Sequence, residues 1–173
     1  MATIKDMQID NQVCSASTYL NVATVYKSFG MADEALPVFE KAKAIYESSL
    51  EKNDTRLAGL YNNMALALVD VGRFSDAYEL YDKALEITKG SLENAITHLN
   101  IASATEAELG LEMADNQIQQ RLEMARTILE NYEKRDGYYA FVCEKCASVF
   151  GYYGHFLYEQ ELTERARRIY EGN

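Results

Sequence analysis

The chain has 173 residues, 48% hydrophobic and 25% charged, with one proline and nine glycines, which fits a single globular domain without long linkers. A formal net charge of −10 lacks the basic footprint that nucleic acid or an anionic membrane surface requires. No apolar run approaches the ~18 residues of a membrane span, the opening MATIKDMQID holds no signal-peptide core, and three cysteines do not make a disulfide framework, so a cytoplasmic location is expected. The acid excess is diffuse, with 13 acids against 9 bases up to Gly90 and 14 against 8 beyond it. Such a field favours a basic partner, weakly, because salt screens it.

Residues 1–11 are polar and are expected to be frayed ahead of the first helix, placed at 12–29. Cys14 and Ala16 lie on its early turns, Cys14 as a small buried residue. A second helix is expected over 32–50, with Asp33 and Glu34 in the first turn where the helix dipole favours acids. Pro37 falls about a turn in, where it bends rather than breaks a helix. Lys52-Asn53-Asp54 makes a connector, and Asp54 or Thr55 caps the next helix.

The stretch from Leu60 to Ile87 then shows the organising pattern. Leu60, Met64, Leu68 and Val71 share one helical face, Phe74, Ala77, Tyr81, Ala84 and Ile87 share another, and Gly72 stands between. Two short amphipathic helices joined this way form an antiparallel hairpin. The second of them starts after Arg73 and stops at Lys89-Gly90, a cation and a glycine at the carbonyl end. A third pair spans 92–109 and 113–133 and ends at Lys134-Arg135-Asp136-Gly137. A fourth spans 138–153 and 156–171, with Glu164, Arg165, Arg167 and Arg168 giving its last helix a polar face. The pairs recur: Gly72 lies 42 residues after Gly30, and Tyr19, Asn21, Ala23, Ala35, Phe39, Ala42 and Ile45 fall on Tyr61, Asn63, Ala65, Ala77, Tyr81, Ala84 and Ile87. Leu122, Ala125 and Ile128, then Ala147, Gly154, Ala166 and Ile169, continue the series more loosely.

These residues resemble the tetratricopeptide repeat, whose pattern is an aromatic, an aliphatic-small pair, Tyr, Gly, Ala, an aromatic and Ala. Here they are Tyr19, Val22-Ala23, Tyr26, Gly30, Ala35, Phe39 and Ala42, then Tyr61, Met64-Ala65, Leu68, Gly72, Ala77, Tyr81 and Ala84. The longer unit, the LNN-type helix start and the string Leu36-Pro37-Val38-Phe39 look most like the repeats of kinesin light chains and related bacterial proteins. The resemblance implies an all-α, right-handed superhelical solenoid of about four antiparallel helix pairs, over residues 12–50, 54–89, 91–133 and 138–171, as one domain. It also implies a non-catalytic module that binds an extended peptide or a partner helix in a concave groove lined by the first helix of each pair.

Asn21, Asn63 and Asn100 take equivalent places in those first helices, and Lys145 takes the fourth. An amide can pair with both the N–H and the C=O of an extended peptide. Around the row, Leu20, Thr24, Asn62, Ala67, Leu99, Ser103 and Glu106 are expected to face the groove, with Tyr138, Tyr139 and Tyr153 as aromatic walls. The family's clamp for a C-terminal carboxylate fits poorly, because Leu20 and Thr24 replace its Lys and Asn and the helix over 92–109 carries no Lys or Arg. One alternative is a fragment or subunit of a peptide-sensing bacterial regulator. Another is a homodimer through Tyr138, Tyr139, Phe150, Tyr152 and Tyr153. A third is metal or redox chemistry at Cys143 and Cys146 with His98 or His155, but zinc wants two further ligands and Cys146 sits at a core place. No phosphate loop, nucleophile elbow or H-E-x-x-H occurs, so neither a catalytic residue nor a cofactor is expected.

Overall fold

A computed structural model describes the backbone of residues 4–172 and the side chains of residues 9–172. Among the described residues there are eight helices and no strand. They are α1 (Ile4–Ser28), α2 (Ala32–Ser49), α3 (Thr55–Asp70), α4 (Phe74–Ile87), α5 (Leu92–Leu109), α6 (Leu111–Asn131), α7 (Gly137–Tyr152) and α8 (Phe156–Glu171). They group into two compact units, Met1–Ile87 and Thr88–Asn173. The fold is all-α, and within each unit the helices pair as consecutive hairpins.

Three of the four hairpin turns share one construction. Gly30, Gly72 and Gly154 have φ of 74°, 76° and 85°, a conformation open to glycine because it lacks Cβ. The following N–H then reaches back five residues, Met31 to Tyr26, Arg73 to Leu68 and His155 to Phe150, at 3.0, 2.8 and 2.9 Å. This Schellman closure satisfies carbonyls that the helix end would otherwise leave bare. The fourth turn differs. Gly110 alone separates α5 from α6, with φ 77° and ψ 155°, and it ends one helix and begins the next. That one-residue joint explains why the third repeat loses register with the first two.

The starts of α3 and α7 are fixed by carboxylates. Asp54 accepts from the Arg56 N–H at 2.9 Å, and Asp136 from the Tyr139 N–H at 3.0 Å, each satisfying a first-turn donor. Pro37 lies inside α2 without interrupting it. The expectation of a frayed segment over 1–11 is corrected: helical backbone begins at Ile4. The run holds neither glycine nor proline, so nothing in it stops a helix extending upstream. Its first three residues lie outside the described ones.

In unit 1, α1 pairs with α2 and α3 with α4, and α2 packs on α3. Ala23, Ala35, Ala42, Ala65, Ala77 and Ala84 are wholly buried, so the helices approach closely. Phe39 and Tyr81 fill the space those alanines leave. In unit 2, α5 pairs with α6 and α7 with α8, around Leu92, Ile118, Leu122, Leu129, Tyr139, Phe150 and Leu162. The Phe150 and Tyr158 rings meet edge-on at 4.7 Å. Arg165 on α8 grips Glu130 on α6 with two bonds of 2.8 and 3.0 Å, and the Tyr158 hydroxyl donates to the same carboxylate at 2.7 Å. This fork fixes α8 against α6.

Among the described residues the Tyr81 hydroxyl is enclosed and makes no hydrogen bond. Burial accordingly pushes the Tyr81 pKa well above its usual value. Leaving a hydroxyl unpaired in the interior costs roughly 1–3 kcal/mol. Tyr81→Phe is therefore expected to leave the melting temperature unchanged or raise it, read by thermal circular dichroism; a clear fall would show that the hydroxyl has a partner.

Candidate functional site

In each unit the first helices of successive pairs lie side by side. In unit 1, Lys27 on α1 meets Asp70 on α3 at 3.6 Å. In unit 2, the Tyr138 hydroxyl at the start of α7 donates to Glu93 at the start of α5, 2.6 Å. At the other ends, the Tyr152 and Tyr153 hydroxyls each donate to Glu106 at 2.8 Å, one to each carboxylate oxygen. Start meets start and end meets end, so α5 and α7 are parallel.

The surface they share is aromatic and acidic. Tyr138, Phe141 and Tyr152 are exposed on α7. Phe141 stacks on Tyr138 at 6.2 Å, and the Lys145 ammonium lies 5.5 Å from the Phe141 ring centre. Residues 138, 141, 145, 148 and 152 advance by three and four, one stripe of a helix. Across from them, α5 contributes Glu93, Ser103 and Glu106 and the half-buried Asn100. Phe141 and Glu93 are not among the groove residues expected from sequence. The signal is legible in principle, because an apolar stripe beside the Cys143–Cys146 face exceeds what one core contact needs.

Of the expected groove residues, Asn21 is exposed on α1, while Leu20, Thr24, Asn62 and Asn63 are half-buried. Thr24 donates to the Leu20 carbonyl at 2.8 Å, Asn62 to Ala58 at 3.2 Å and Asn63 to Gly59 at 2.8 Å. Each of these bonds stays within its own helix. Asn21 and Asn63 stand on the adjacent first helices of unit 1, and Asn100 belongs to unit 2. Ser103 and Tyr138 are exposed as a groove requires.

Ala67, Leu99 and Tyr139 are corrections. Ala67 is fully buried and Leu99 nearly so. Ala67 lies four places after Asn63, about 100° further round the helix than Leu66, the residue three places on. Tyr139 is also fully buried. Its ring stacks on Tyr132 at 6.3 Å, its hydroxyl donates to the Leu129 carbonyl at 3.3 Å, and Arg135 covers its face at 4.2 Å. A neighbour in sequence to Tyr138 is turned about 100° away from it. Phe150, named with Tyr139 as a dimer contact, is buried as well.

The cysteine chemistry divides. Cys143 and Cys146 are buried in the unit 2 core, whereas Cys14 is exposed, opposite to its expected burial. Desolvation pushes the Cys146 thiol up to about 12 and raises Cys143, so neither forms a ready thiolate. A native-state thiol titration is expected to modify Cys14 quickly and the other two only after unfolding. Rapid loss of all three would refute their enclosure.

His98 is nearly buried, with its Nδ1 3.3 Å from an Arg121 Nη1. Arginine only donates, so Nδ1 accepts and Nε2 carries the proton. Burial, then the Arg121 charge, lowers the His98 pKa from 6.5 to about 4. The unfolded chain binds this proton more readily, so the stabilisation is complete above pH 6.5 and is lost as pH falls toward 4. The contribution is at most about 3 kcal/mol. His98→Gln is expected to flatten the fall in stability across that window, measured by urea unfolding at stepped pH; an unchanged slope would show that His98 is not protonated on unfolding.

The comparisons place this geometry among known proteins. Residues 14–90 match the tetratricopeptide repeat family model. The crystal structure of BtubC (BKLC) from P. vanneervenii superposes with a TM-score of 0.60 at 21% identity, covering 91% of this chain and 63% of that one, so this chain spans less than two thirds of that protein's length. A putative kinesin light chain from Podospora anserina with nearly identical TPR-like repeats superposes at 0.53 and 18% identity, covering 89% of this chain and 74% of its own. A single-residue variant of that protein gives 0.55 and 18% with the same coverage. No curated protein sequence matches. The fold is thus the TPR-like one that the sequence resemblance implied. Repeats of this kind generally serve protein–protein interaction. No helix among the described residues is long and apolar enough to cross a membrane.

Proposed function

We propose that this chain is a non-catalytic interaction module that holds an extended, cationic peptide along the exposed faces of the first helices within each unit. The α5–α7 surface carries the reading. Three exposed aromatic side chains in one stripe, Tyr138, Phe141 and Tyr152, face a helix whose only full charges are Glu93, Glu106 and Glu108. Aromatic side chains supply contact area at low entropic cost. A carboxylate that accepts one tyrosine hydroxyl per oxygen keeps further acceptor capacity. Glu106 can therefore also receive a lysine or arginine of a ligand. In unit 1 the same role falls to Asn21 and Asn63, whose amides suit a peptide backbone.

The fold adds a second support, because the TPR-like architecture is a frame for side chains on these helices rather than for a reaction centre. Metal or redox chemistry at Cys143 and Cys146 is disfavoured by their burial.

The test is a panel of fluorescent peptides of about ten residues, cationic, neutral and acidic, titrated by anisotropy. Cationic members are expected to bind best. Phe141→Ala with Tyr152→Ala is expected to weaken that binding about tenfold or more, and Asn63→Ala to weaken it while leaving melting nearly unchanged. Equal binding of acidic and cationic peptides, or a large melting loss in Asn63→Ala, would refute the assignment.

A further inference from the structure

The 42-residue repeat permits a position-by-position comparison inside unit 1. Leu60, Tyr61, Met64, Ala67 and Leu68 on α3 are 0%, 6%, 3%, 0% and 2% exposed. Their counterparts on α1 are Thr18, Tyr19, Val22, Val25 and Tyr26, and the last four are 38%, 42%, 55% and 37% exposed. The two hairpins are otherwise alike. Lys41 lies 5.9 Å from the Tyr19 ring centre, as Lys83 lies 5.7 Å from that of Tyr61. What α3 has in addition is α2 packed on its far side, including the Tyr61 hydroxyl bond to Glu47 at 3.0 Å. Among the described residues no helix takes that place on α1. The result is an apolar strip of Tyr19, Val22, Val25, Tyr26 and Phe29, with a hollow of about 440 Å³ lined by Asn21, Val22, Val25 and Tyr26.

We propose that a second copy of this chain covers the strip, α1 against α1, in a two-fold pair. Charge selects this occupant. The protein carries a net charge of −10, yet residues 11–26 contain no Asp, Glu, Lys or Arg. Two copies that meet there bring no like charges together, whereas most other faces would. The strip is itself an apolar helix stripe with steps of three and four, so it supplies what it needs. A face that is complementary to itself gives a closed two-fold dimer. The strip shares Asn21 with the peptide reading, but the α5–α7 surface that carries that reading lies outside the strip.

Sedimentation equilibrium across micromolar concentrations is the test. The wild-type chain is expected to run as a dimer, and Val22→Glu with Val25→Glu to weaken it by roughly 100-fold or more through buried like charges. Both positions are exposed, so helicity by circular dichroism is expected to persist. Tyr152→Ala is expected to leave the dimer intact. Amide exchange of the wild-type protein provides a measure that needs no variant: protection of α1 should rise with concentration and that of α7 should not. A wild-type chain that stays monomeric overturns the proposal and leaves the strip to a different protein. A dimer unmoved by the paired glutamates, or protection gained at α7 instead, overturns it equally.

Discussion

A short helical hairpin has more apolar surface than its two helices can hide from water, and everything in this protein follows from that surplus. Each pair of unit 1 buries its inner seam through alanines that let the backbones close up and a single ring, Phe39 or Tyr81, that fills the gap. The outer side of the pair remains. In unit 1, α2 meets it on α3, and the tyrosine that would stand exposed there, Tyr61, is covered and bonded. Hydrophobic burial of a large side chain contributes about 1.5–3 kcal/mol, so a covered and an uncovered copy of one repeat position differ substantially in stability. The exposed stripe on α1 is a consequence of the architecture and not an addition to it.

The same surplus explains which parts of the molecule are legible in the sequence. The glycines at 30, 72 and 154 and the alanine–aromatic spacing report backbone geometry and inner seams, which are local and repeat with the chain. They give the hairpins and the fold. The groove residues depend on about 100° of helix rotation, and one step misplaces a side chain. A pattern reading puts Ala67 and Tyr139 on the surface although each belongs to the interior. It buries Cys14 by analogy with inner positions, but the residue is exposed on α1. The joint at Gly110 is also beyond such a reading, because a single glycine at φ 77° and ψ 155° replaces a whole turn.

Tyrosine is the residue that mediates between interior and surface here. Tyr158 and Tyr139 bury their rings while their hydroxyls reach Glu130 and a backbone carbonyl. Tyr138, Tyr152 and Tyr153 do the converse, leaving part of the ring to solvent and tying the hydroxyl to Glu93 or Glu106. The first arrangement locks helices together, and the second prepares a surface.

That preparation matters for how such a surface binds. An exposed glutamate or tyrosine samples several rotamers, and a ligand that fixes one loses about 0.5–1.5 kcal/mol per side chain. On α5 and α7 the tyrosines and glutamates already restrain one another before any ligand arrives. Burial alone would raise the Glu93 pKa, but the hydroxyls of Ser91 and Tyr138 outweigh it and hold that carboxyl below its usual value. A cation entering between Glu106 and the Tyr152 ring would meet charge and π-face together, at little ordering cost. A solvated glutamate with no tyrosine partner would offer the same charge and less affinity, which is why the pairing of these residue types, more than the acid count, gives this face its character.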